Sequence, residues 1–92
     1  MPFEKKGLCD QLQRAAVSIS SNIAEGSAKP TDADFARFLD TALGSAYEVE
    51  TQLLISQNVD YINDDLYMAL LKELMAIEKQ LSAFISKIRK SS

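Results

Sequence analysis

The stretch NDDLYMALLKELMAIEKQLSAFISKIRK, residues 63–90, decides the fold. Within it Tyr67, Leu70, Leu74, Ile77, Leu81, Phe84 and Ile88 follow one another at steps of 3, 4, 3, 4, 3 and 4. That alternation places them along one seam of an α-helix, the pattern that packs helices side by side. Leu66, Leu71, Met75 and Ile85 widen the seam into a stripe that one neighbour cannot cover. Asn63 is positioned to cap the start, with Asp64 and Asp65 in the first turn, and Lys87, Arg89 and Lys90 close the other end. Acids at the N-terminus and bases at the C-terminus both complement the helix dipole. A helix over 64–90 is roughly 40 Å long.

Upstream, Thr31-Asp32-Ala33-Asp34 reads as an N-cap followed by acidic residues, because a Thr hydroxyl accepts a free backbone N–H at that position. Phe35, Phe38, Ala42, Ser45 and Val49 carry a helical stripe, predicting a helix over 32–57. Leu8, Leu12, Ala15, Ile19 and Ile23, at steps of 4, 3, 4 and 4, predict a first helix over 8–25. Gly26 then stands where a helix commonly ends in a left-handed residue. Short connections make successive helices antiparallel neighbours. The expected architecture is an all-α, up-and-down antiparallel bundle, with residues 1–92 as a single domain. The apolar surface is generous for three helices, and small domains often gain stability by oligomerising.

Composition removes most chemistry. The 92 residues include no His and one Cys, with 10 Lys plus Arg against 13 Asp plus Glu, a net charge of −3. Without His, a Ser-His-Asp triad, a Cys-His pair and an H-E-x-x-H zinc site are all excluded. Cys9 alone forms neither an internal disulfide nor a thiolate cage. Asp60, Asn63, Asp64 and Asp65 lack the order and the terminal Glu of a calcium-binding loop. No catalytic residue, metal ligand or cofactor is expected, and the chain is read as non-enzymatic. Charges near the N-terminus leave no signal-peptide core, and no uncharged run approaches a membrane span. A cytoplasmic protein is expected.

Several polar residues remain to be placed. Arg14, Ser18, Ser21, Asn22 and Glu25 form a polar stripe on the first helix. Arg14 is expected to pair with Glu48 or Glu50 on the antiparallel second helix, fixing register at a desolvation cost. Glu48 and Glu50 are two apart, do not face one another and are not expected to share a proton. Ala42, Gly44, Ser45 and Ala46 form a small-residue patch, read as a close approach to Ala15 and Ala16. Lys29, Arg37, Lys87, Arg89 and Lys90 gather at one end if the third helix runs antiparallel to the second. That makes them a candidate nucleic-acid patch, although no basic stripe with interleaved aromatics is present.

The sequence Gln11-x-x-Arg14-Ala15-Ala16-Val17-Ser18-Ile19-x-Ser21-Asn22-Ile23-Ala24-Glu25-Gly26, with Phe35-x-Arg37-Phe38-Leu39 and Ala42-x-Gly44-Ser45-x-x-Glu48-x-Glu50-Thr51-Gln52-Leu53, resembles the four-helix-bundle proteins known as 23S rRNA intervening-sequence proteins. The resemblance runs over about residues 7–54, and the third helix shares it by pattern only. It implies four-helix protomers in ring-like homo-oligomers, typically pentamers, and one more helix ahead of Pro2-Phe3. It marks Arg14, Ser18, Asn22, Glu25, Arg37, Glu48 and Glu50 as candidate structural or interaction residues. The family includes the accessory proteins of diversity-generating retroelements, which are basic and bind nucleic acid. The leading expectation is an oligomeric helical scaffold for a protein partner. The alternative is an accessory protein that binds RNA, DNA or a reverse transcriptase.

Overall fold

The computed structural model describes residues 5–91. It holds three α-helices: α1 (Lys5–Ser27), α2 (Asp32–Asn58) and α3 (Asp64–Ser91). Their starts obey the local rules. The Thr31 side chain accepts a hydrogen bond from the Asp34 N–H at 3.2 Å, and Asp32 and Asp34 occupy the first turn of α2. Asn63 Oδ1 accepts from the Leu66 N–H at 2.7 Å, and α3 ends on Arg89 and Lys90. Each cap satisfies an N–H that has no partner inside the helix.

The ends of α1 and α2 differ from the sequence reading. Gly26 is not a left-handed cap: α1 continues through it to Ser27, and no described glycine has positive φ. A Cβ on Gly26 would lie 2.7 Å from Phe38 Cβ and 2.8 Å from Phe35 Cδ1. Gly26 is therefore fixed by the close approach of α1 to the start of α2. The left-handed residue is Asp60, at φ 60°. Behind it the Tyr61 N–H bonds to the Ser56 carbonyl at 2.8 Å and the Asp60 N–H to the Gln57 carbonyl at 3.2 Å. These two bonds form a Schellman closure of α2.

The helices are antiparallel in sequence order, with α2 in the middle. Leu39, Ala42 and Ala46 of α2 are wholly buried, with Ala15 from α1 and Leu74, Leu81, Ile85 and Ile88 from α3 against them. Among the described residues, no Cα of α1 comes within 8 Å of a Cα of α3. The result is the expected antiparallel up-and-down bundle, 45 × 21 × 17 Å in extent, open between α1 and α3. The buried seam of α3 also differs from the heptad reading. Leu74, Glu78, Leu81, Ile85 and Ile88 turn inward, whereas Ile77 and Phe84 remain 41% and 43% exposed. The small-residue approach uses Ala15, Ala42 and Ala46; Gly44 and Ala16 are exposed, and nothing lies within 4 Å of a Cβ placed on Gly44.

Candidate functional site

The polar stripe of α1 becomes the hydrogen-bonded seam with α2. Ser18 Oγ and Ser45 Oγ are 2.9 Å apart, and Asn22 Nδ2 donates to the Ser18 carbonyl at 2.7 Å and to Ser18 Oγ at 3.2 Å. Lower down, Gln52 Nε2 donates to Gln11 Oε1 at 3.0 Å, and Ser56 Oγ to the Gln52 carbonyl at 2.6 Å. The Ser18–Ser45 and Gln11–Gln52 pairs hold register between the two helices, and Asn22 braces Ser18 from within α1.

The expected Arg14 ion pair is absent. Arg14 and Glu48 border the same shallow hollow with Ser18 and Ser45, but both are exposed and Arg14 has no carboxylate within ion-pair distance among the described residues. The reason is angular: Ala15 takes the inward position, which turns Arg14 toward the outer edge of α1. Glu25 is exposed. Glu50 faces away from α1, toward α3.

The basic end does assemble, because α3 finishes beside the start of α2. Its charges are already engaged. Arg37 Nη2 pairs with Asp34 Oδ1 at 3.4 Å, and Arg89 grips Asp40 with two hydrogen bonds, one of 3.2 Å from Nη1 to Oδ1. Lys29 Nζ lies 5.1 Å from the centre of the Phe38 ring, in cation–π range. Phe35 and Phe84 meet edge to face nearby, with centroids 5.4 Å apart. Lys87 and Lys90 are exposed. The predicted residues thus share one end, interleaved with aspartates.

The sequence reading missed Glu78. It is 8% exposed, and its Oε2 has no hydrogen-bond partner. Its carboxyl is raised from 4.5 to about 7, first by burial and then by the hydrogen bond and charge of Glu50 across the α2–α3 seam. The facing carboxylates are thus Glu50 and Glu78, on two helices, and not Glu48 and Glu50 on one. The signal was available: steps of 4, 3, 4 and 3 through Leu74, Glu78, Leu81, Ile85 and Ile88 place a carboxylate on the buried face. Over it lies an open trough edged by Tyr47, Met75, Lys79 and Ser82.

On the third side, between α1 and α3, an apolar groove runs over α2. It is lined by Leu12, Val49, Leu53, Leu70, Leu74 and Ile77, with Glu73 as its one charged member. Leu66 and Phe84 lie along the same side of α3, 45% and 43% exposed. No described helix is long and apolar enough to cross a membrane.

An antiparallel layer of long helices, with two polar seams and one open apolar groove, defines a helical-bundle protein. A sequence profile of the 23S rRNA-intervening sequence protein family matches residues 1–83, and the chain belongs to that family. The match carries through most of α3, beyond the 7–54 region where the motifs themselves lie. No curated protein and no solved structure matches the chain.

Proposed function

We propose that this chain is a non-enzymatic, cytoplasmic helical scaffold that assembles with copies of itself and offers the assembled surface to a protein partner. The observation that carries the reading is the apolar groove between α1 and α3. Leu66, Ile77 and Phe84 each leave more than two-fifths of their surface in water along it. Covering such half-exposed side chains contributes roughly 1 kcal/mol each at about 25 cal/mol per Å². A helical segment laid between α1 and α3 removes that surface and turns the open layer into a four-helix packing. The family resemblance implies a pentameric ring as the form of the assembly.

The test is solution mass, by light scattering on the full chain at micromolar concentration. A discrete oligomer is expected, and a strict monomer refutes the scaffold mechanism.

A second reading, an accessory protein that binds RNA or DNA, draws on the gathering of Lys29, Arg37, Lys87, Arg89 and Lys90 at one end. It ranks lower because Asp34 and Asp40 already pair with two of those five cations. A phosphate binder loses affinity steeply as salt rises, and failure to bind either nucleic acid even at low salt ends this reading. Among the described residues, Glu78 is the carboxyl that burial and Glu50 raise. With no His in the chain to relay its proton, it serves structure and assembly better than acid–base chemistry.

A further inference from the structure

Two faces of the layer are unsatisfied in complementary ways. On the α3 edge, Glu78 is more than nine-tenths buried with one oxygen unpartnered, and Glu50 stands opposite. Neither has a cation within ion-pair distance among the described residues, although Lys79 edges the same trough. The trough has apolar rims, Tyr47 and Met75, at 51% and 54% exposure. Its α3 side is small: Ala76, Ser82, Ala83 and Ser86 allow another helix backbone to come close.

The outer edge of α1 presents the converse. Among the described residues, Arg14 is an exposed guanidinium with no carboxylate partner, and Val17, one turn on, is 63% exposed, the highest value among the large apolar residues described. Asp10 flanks them.

We propose that the trough over Glu78 is the seat of the outer α1 face of a second copy of this chain, whose Arg14 supplies the cation that the Glu50–Glu78 pair lacks. This rests on the self-assembly reading above and assigns its polar interface. Height along the layer supports it. The Gln11–Gln52 and Ser18–Ser45 bonds set Arg14 level with residues 48–49 of α2. Glu78 faces Glu50, so it sits at nearly the same level. A neighbour placed side by side therefore brings Arg14 to Glu78 with little displacement along the helix axes, and Val17 comes level with Tyr47 and Ser82. The donor and acceptor faces lie on opposite edges of one copy, so the contact is head-to-tail. Such a contact closes into a ring where the rotation between copies divides a full turn, and extends as an open array where it does not.

The experiment pairs a charge reversal with a cross-link, on the full chain. Arg14→Glu sets like charges against one another at the seat, while its exposed, unpaired position leaves the fold intact, which far-UV circular dichroism checks. It is expected to weaken assembly about 100-fold or more, as for the loss of a desolvated charge pair. Separately, Val17→Cys and Ser82→Cys, each in a Cys9→Ser background, are mixed and oxidised. A disulfide-linked dimer is expected in the mixture and not in either variant alone. If the parent chain assembles but Arg14→Glu leaves its mass unchanged, or the mixture gives no cross-link, this seat is wrong and the scaffold reading survives. A monomeric parent chain overturns both.

Discussion

Replacing Glu78 with Gln should stabilise this protein, and should do so only where Glu78 is charged. The carboxyl is raised from 4.5 to about 7 in the folded chain. Between those values the native state holds a proton that the unfolded chain has released, so folding stability falls as pH rises through the window. At about 1.4 kcal/mol per pKa unit, the loss accumulates to at most about 3 kcal/mol and levels off above neutral pH. Burial is the leading cause, and the only carboxylate driving the shift from the neighbouring helix is Glu50. An amide at position 78 keeps the shape and a hydrogen-bond donor toward Glu50 while removing the ionisation. Urea unfolding, followed by far-UV circular dichroism at one fixed protein concentration, measures both chains from pH about 5 to about 8 in an Arg14→Glu background, where no neighbouring copy brings a guanidinium to Glu78. The parent should lose stability across that range. The Glu78→Gln chain should lose less, matching the parent near pH 5 and exceeding it at pH 8 by up to about 3 kcal/mol. A parent whose stability is flat or rises over the range refutes the reasoning, as does a variant that is weaker at pH 8.

Two glycines should respond with opposite signs. Gly44→Ala, in mid-helix with open space around the new methyl group, is expected to stabilise by about 0.5–1 kcal/mol. Gly26→Ala forces a Cβ against Phe38 Cβ and the Phe35 ring and is expected to cost about 1–3 kcal/mol despite the better helix propensity. Urea midpoints separate the two, and a gain at Gly26 contradicts the packing described for the α1–α2 end. Asp60→Gly relieves a left-handed backbone at φ 60°. It should raise the melting temperature by a few degrees, the equivalent of about 0.5–1 kcal/mol in a domain of this size, and a lower melting temperature would show that the Asp side chain contributes more than its backbone strain.

The elements were legible because their signals are local. Thr31 and Asn63 cap as their side chains require, and the apolar periodicity of residues 32–57 and 64–90 finds α2 and α3 to within a residue. The apolar pattern starts the first helix three residues late and ends it two residues early, because Lys5, Lys6 and Gly7 carry no apolar signal and Gly26 mimics a terminator. What Gly26 answers to is Phe35 and Phe38, residues on another helix that a local rule cannot sense. The α3 seam shows the same limit. Following only apolar residues led through Ile77 and Phe84, whereas the buried line passes through a glutamate. Arg14 was assigned a carboxylate on the helix behind it because opposite charges were available there, but one helical step turned it outward. The polar stripe was found as residues, and its role in register needed the interhelical distances.

The separation of α1 from α3 also governs how the chain can fold. Each close backbone approach joins helices adjacent in sequence, across connections of a few residues. The molecule is two helical hairpins that share an arm. Neither hairpin waits for a distant segment, so loop-closure entropy stays small and the relative contact order is low, the regime of folding in microseconds to milliseconds. The α1–α2 contacts need nothing beyond residue 58, so they are within reach before α3 is made, whereas the buried clusters close only when α3 adds Leu74, Leu81, Ile85 and Ile88. The slow step in building an assembly from such a chain is then the meeting of subunits, and its rate depends on concentration rather than on the order in which the helices find one another.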